Sequence, residues 1–170
     1  MSDDLDRLRR QAKTLQKQYE AGERAALSRV HAHVPRDKDP LKRADFLHVI
    51  AQENSFVSWP AMKEAVAIHG MERAAKVQRL KKALNSGQEQ RIAALLADTP
   101  DLAQGYFGLQ CALLEEDAVT AAVAADPQLA TRDAGVRRPI LHLAFSPAAR
   151  IWPERTDALI RIAEKLVNKG

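Results

Sequence analysis

Apolar residues recur at spacings of three and four along most of this chain, and period-two alternation is nearly absent. The pattern predicts helices and almost no strands. Leu5, Leu8, Ala12, Leu15 and Tyr19 form one stripe and predict a first helix from about Asp4 to Ala21, with Arg7, Arg9, Arg10, Lys13 and Lys17 off the stripe. Asp3, Asp4 and Asp6 fall in its first turn, where they complement the helix dipole, and Gly22 ends it. The stripe is short for a coiled-coil seam, so packing within the chain is expected. A second helix, about Glu23 to His33, turns Ala26, Leu27 and Val30 inward and stops at Pro35; Arg36 to Pro40 is a polar loop. A third, about Leu41 to Asn54, carries Ala44, Leu47, Val49, Ile50 and Ala51. Ser58 is suited to cap a fourth helix, with Pro60 in its first turn and Phe56 and Trp59 as apolar anchors around the cap. Gly70 interrupts that helix after Ile68.

From Met71 the pattern changes to paired helices. Glu72–Leu84 pairs with Gln88–Asp98 across Asn85-Ser86-Gly87, and Ala75, Val77, Leu80, Ala83 and Leu84 face Ile92, Leu95 and Leu96. Tyr106–Leu114 pairs with Glu116–Ala125, and Pro139–Ser146 with Glu154–Val167. One phrase closes the first two pairs: Ala97, Pro100, Leu102 and Ala103 recur as Ala124, Pro127, Leu129 and Ala130, 27 positions later. Such a pair cannot cover its own apolar face, so each must stack on the next. The expectation is an all-α chain: an N-terminal helical subdomain over residues 1–70, then three helical-hairpin repeats over about 72–104, 105–132 and 133–170.

Two stretches carry a family resemblance. Leu8 to Leu15, Ala21-Gly22-Glu23, and Ala44-Asp45 on through Ile50-Ala51-Gln52-Glu53-Asn54-Ser55-Phe56 to Ser58-Trp59-Pro60-Ala61-Met62-Lys63 resemble the N-terminal helical region of bacterial ankyrin-repeat proteins. That region commonly reads "IAxExGFxSWPxLK", and here Ser55 stands where the family usually has Gly. Asp133-Ala134-Gly135 followed by Arg138-Pro139-Ile140-Leu141-His142-Leu143-Ala144 resembles the ankyrin phrase "DG-R-T-P-L-H-x-A": Leu141, His142 and Ala144 match, Pro139 and Ile140 replace Thr and Pro, and Gly135 is displaced. In the second unit Leu109-Gln110-Cys111-Ala112 takes the same place, with Gln110 for the His. The resemblance implies a degenerate ankyrin-like solenoid. It implies that His142 hydrogen-bonds neighbouring backbone as a scaffold group. It also puts Arg132, Arg137 and Arg138, in the link before the third unit, where a partner docks. The link Thr99 to Gly105 is too short for a full ankyrin finger, whereas the third unit has an insertion, Ser146 to Pro153, with Trp152 expected to plug the core. Such proteins usually continue beyond the point corresponding to Val167-Asn168-Lys169-Gly170, so either the last helix caps the stack or the chain is shorter than its relatives.

Composition narrows the function. At 46% hydrophobic, 28% charged and 5% aromatic, the chain is ordinary for a globular protein packed through small side chains. No stretch approaches the roughly 20 apolar residues of a membrane span, and the charged start, Met1 to Lys13, does not read as a secretory signal. Cys111 is the only cysteine, which excludes an internal disulfide and points to a reducing, cytoplasmic setting. The net charge of +4 is uneven: residues 1–86 hold 17 Lys/Arg against 11 Asp/Glu, and residues 87–170 hold 9 against 11. A basic front half makes nucleic-acid binding through Arg9, Arg10, Lys13, Lys17 and the Arg73–Lys82 run the alternative function.

Catalytic constellations are missing from the pattern. His31 and His33 are two apart and diverge on a helix, and His48, His69 and His142 have no ligand partner at helical spacing. Cys111 reads as a small buried residue, Glu115-Glu116-Asp117 as charge at a helix start, and the glycines form no phosphate loop. The expectation is a non-catalytic interaction scaffold with a protein partner and with no cofactor, metal or membrane. Its contacts are expected at Arg132, Arg137, Arg138, Arg150 and Trp152.

Overall fold

The computed structural model describes residues 2–168, with side chains from Asp4 onward; the side chain of Asp3 and the terminal Lys169 and Gly170 lie outside the described residues. Every regular element among the described residues is helical, and none of the helices is long and apolar enough to cross a membrane. The chain divides into two compact units, Met1–Gly70 and Met71–Gly170.

The first unit holds α1 (Ser2–Glu20), α2 (Arg24–His31), α3 (Arg43–Glu53) and α4 (Trp59–His69). Helix α1 packs on α3, α2 and α4, because its stripe buries Leu8, Ala12 and Leu15 among Ala26, Val30, Phe46, Val49, Ile50 and Met62. Ala44, expected inward, is exposed; Phe46, which the apolar spacing passed over, is buried in its place. Burying the larger side chain removes more apolar area from water, so the helix rotates to favour it. Tyr19 closes this core with an edge-on contact to Phe46 at 5.6 Å. Gly22, at φ +74°, lets the Glu23 N–H reach back to the Gln18 carbonyl at 3.0 Å and ends α1. The Ser58 hydroxyl accepts the Ala61 N–H at 3.3 Å, the cap its position predicted. Ser55 adopts φ +65°, a left-handed conformation that a glycine takes with less strain. The Arg29 guanidinium grips both Glu53 carboxylate oxygens at 2.8 Å, tying α2 to the end of α3 and holding the Glu53 carboxyl below its usual range.

The second unit contains α5 (Arg73–Asn85), α6 (Glu89–Asp98), α7 (Phe107–Ala112), α8 (Glu116–Ala125), α9 (Pro139–Ala144), α10 (Ala148–Ile151) and α11 (Thr156–Asn168), with 3-10 turns at Pro127–Ala130 and Pro153–Arg155. Helices α5 and α6 form one hairpin, α7 and α8 a second; α9 packs on α7, and α11 on both α8 and α9. The first two hairpins share the backbone of their turns and of their exits. Gly87 and Leu114, 27 positions apart, take φ +61° and +59°. The following N–H groups, of Gln88 and Glu115, reach back to the Ala83 and Gln110 carbonyls at 2.9 and 3.0 Å. Thr99 and Asp126 leave the second helices at φ/ψ of −140°/85° and −138°/93°. The repeated phrase then buries Leu102 and Ala103 in one hairpin and Ala130 in the other. Leu114 carries the strain of a left-handed backbone because its side chain is buried in the core of this unit.

The third start follows at a longer interval. Leu109 and Gln110 donate to the Tyr106 carbonyl at 2.8 and 3.0 Å, and 32 positions later Leu141 and His142 donate to the Arg138 carbonyl at 3.0 and 3.3 Å. The extra residues form a small turn closed by the Ala134 N–H on the Arg137 carbonyl at 3.0 Å, with Gly135 at φ +89°. One expectation is corrected. Ala75 is exposed, and Lys76 is buried instead, its ammonium held by Asp98 at 2.5 Å and Thr99 at 3.2 Å. In α9 Pro139 and Leu143 are buried and Ile140 packs against the core, which leaves Leu141 41% exposed. The insertion contains a short helix: Ser146 donates its hydroxyl to the Ala112 carbonyl and accepts the Ala148 N–H at 3.0 Å, which starts α10 and buries Ala148.

Candidate interaction groove

Helix α5 buries Val77, Leu80, Ala83 and Leu84, so Gln78, Lys81, Lys82 and Asn85 are left on its accessible side. They line a groove of about 690 Å³ whose remaining walls are the start of α7, the turn from Arg132 to Arg137, and His142 and Phe145 of α9. It is an apolar floor under a basic rim. Tyr106, Val136 and Phe145 are 42%, 90% and 70% exposed there. Lys81 sits 5.3 Å above the Tyr106 ring, and the Arg137 guanidinium 5.7 Å from the Phe145 ring. Asp133 is the one carboxylate in the lining.

His142 holds the turn against the helices. Its Nε2 lies 2.9 Å from the Ala134 carbonyl oxygen, and because a carbonyl can only accept, Nε2 carries the proton. Burial pushes the imidazole pKa below its ordinary value; the positive charges of Arg137 and Lys81 act in the same direction, against the hydrogen bond to Ala134. Gly108 makes this approach possible. A Cβ there would lie 2.8 Å from the His142 Nε2, too close for the imidazole to stay in place, and 3.0 Å from the Ala134 oxygen, a tight contact that a small shift relieves.

The residues singled out from sequence separate into two sets. Arg132 and Arg137 line the groove, Arg132 being also bound to Asp126 at 2.9 Å. Arg138 is exposed at the start of α9. Arg150 and Trp152 are not in the groove. Arg150 pairs with Glu89 at 3.0 Å, and Trp152 packs on the core with the Arg155 guanidinium 4.7 Å from its ring. Sequence reasoning missed Tyr106 and Phe145 as groove residues. Tyr106 could have been found by aligning unit starts, because it occupies the place of Arg138, and Phe145 by its position one turn after Leu141.

Reactive chemistry is not concentrated in this groove. The Cys111 thiol lies on the buried side of α7, which pushes its pKa up to about 12 and keeps it protonated. Among the described residues no three His, Cys, Asp or Glu side chains converge to hold a metal ion. No match was found in comparisons with protein-family models, curated proteins or solved structures.

Proposed function

We propose that this chain is a non-catalytic interaction scaffold, and that residues 71–170 are a degenerate ankyrin-like stack presenting the groove to a protein partner. The observation that carries this reading is the groove itself: three exposed apolar side chains and four cations converge on one face of the second unit. Clustered apolar side chains ringed by charge mark partner surfaces more often than scattered single ones do. The ankyrin-like assignment draws support from the hairpin that recurs with the same turn torsions and from the His142–Ala134 bond across the third link. The lowered pKa of His142 agrees with a neutral scaffold group rather than a cation in the site. Stacked hairpins hold such a surface in place before binding, so little ordering is lost when a partner docks.

The test is affinity capture from native cell extract with the wild-type chain and with Phe145→Asp. Proteins retained by the first and lost by the second are expected. Retention of nucleic acid alone, with random duplex bound at about 50 mM salt and released as salt rises, would replace this reading with the nucleic-acid one.

A further inference from the structure

We infer that the groove takes an acidic linear peptide: a segment with one bulky apolar residue flanked by carboxylates. This rests on the protein-binding reading above and names the partner's chemistry. Lys81, Lys82, Arg132 and Arg137 face one carboxylate, Asp133, inside the lining, and only Arg132 has a second carboxylate, Asp126, outside it. Two of these cations are held over rings: Lys81 above Tyr106 and Arg137 beside Phe145. A cation resting on a ring keeps its N–H donors free for an incoming carboxylate, and the fork of Arg137 suits a bidentate grip.

The same geometry argues against a nucleic-acid strand. Base stacking needs open aromatic faces, and one face of each ring, Tyr106 and Phe145, already carries a cation, Lys81 and Arg137. The cations also surround a pocket rather than follow a line that a phosphate backbone could track. The exposed Val136 and Phe145, and the volume of about 690 Å³, suit an apolar side chain with its flanking backbone.

The experiment is selection of random peptides of roughly twelve residues displayed on phage against the whole chain. Fluorescence anisotropy of an enriched peptide then compares wild type, Lys81→Glu/Lys82→Glu, Arg137→Gln, Phe145→Ala and, as a control on the first unit, Arg10→Glu. Thermal melts of each variant establish that it is folded. Enriched peptides should carry two or more Asp or Glu beside an aromatic or aliphatic residue. Their affinity should fall about tenfold or more with either charge variant and with Phe145→Ala, remain unchanged with Arg10→Glu, and weaken as salt is raised. Enrichment of peptides without acidic residues, or binding indifferent to Lys81 and Arg137 while still lost with Phe145→Ala, overturns the acidic-peptide inference and leaves the protein-binding reading standing. Enrichment of no peptide overturns this inference, and binding of single-stranded DNA lost with the same charge variants overturns both.

Discussion

Replacing Gly108 by alanine tests the packing of the groove most directly, because local and tertiary effects have opposite signs. Gly108 lies in helix α7, where alanine is ordinarily the better residue by about 1 kcal/mol, and less near a helix start. The added methyl would lie 2.8 Å from the His142 Nε2 and 2.9 Å from its Cδ2. The imidazole must leave, giving up its bond to the Ala134 carbonyl, worth about 1 kcal/mol, and overpacking adds about 1–3 kcal/mol. The tertiary cost wins, and Gly108→Ala should destabilise the second unit by about 1–3 kcal/mol. For a unit of this size each kcal/mol lowers Tm by roughly 4–8 °C.

The assay can isolate that unit, since Trp59 lies in the first and Trp152 in the second. In a Trp59→Phe background, tryptophan fluorescence during heating or urea titration reports the second unit alone. The decisive arm repeats the substitution with His142→Ala, which vacates the space the methyl needs. There Gly108→Ala should become neutral or stabilising by up to about 1 kcal/mol, as ordinary helix propensity predicts. A Gly108→Ala protein more stable than wild type, or an equal loss in both backgrounds, would refute the account of Gly108 as clearance for His142.

Three further outcomes are expected. As pH falls below about 6.5, the unfolded chain takes up a proton at residue 142 before the folded one does, because burial lowers the folded pKa of His142. Its contribution is therefore complete above that pH and lost below it, and a urea-melt series against pH should lose that slope in His142→Ala. Lys76→Met leaves the Asp98 carboxylate without its ammonium partner in a site where both side chains are nearly buried; chemical denaturation should show a loss of about 2–4 kcal/mol. Ser55→Gly relieves the left-handed backbone before α4 at some cost in unfolded-state entropy; calorimetry should find the first unit stabilised by about 0.5–1 kcal/mol.

What was legible in the sequence was whatever repeats at helical period or ends a helix by local chemistry. The α1 stripe, the Ser58 cap and the turns at Gly22 and Gly87 need only neighbours a few residues away. Positions decided by a distant partner were illegible. Lys76 is polar and still buried, because Asp98 and Thr99 on the other helix of its hairpin satisfy it. The role of Ser146 in starting α10 was illegible because its acceptor, the Ala112 carbonyl, lies 34 positions back. Of the candidate contacts, Arg132 and Arg137 came from the link and do reach the groove. Arg150 was credited by residue type alone, and its carboxylate partner Glu89 is far away in sequence.

The difference between the two repeat intervals explains where the groove lies. A hairpin closed by Pro127–Ala130 and reopened at once, as the first is at Tyr106, would place only two residues between the closing anchor Ala130 and the next helix start. The third unit has seven, Thr131 to Arg137. Those residues supply the Ala134 carbonyl that orients His142, the exposed Val136, and two of the four cations. They need clearance on α7, which Gly108 provides, and the Lys81–Tyr106 pair completes the facing wall. The recurring phrase therefore belongs to the scaffold, and the groove forms where the interval lengthens from 27 to 32. Shortening that link to the two-residue form should leave the paired helices able to pack while removing Arg132, Arg137 and the His142 acceptor together. Stability and peptide binding should respond separately to such a deletion, the first modestly and the second completely.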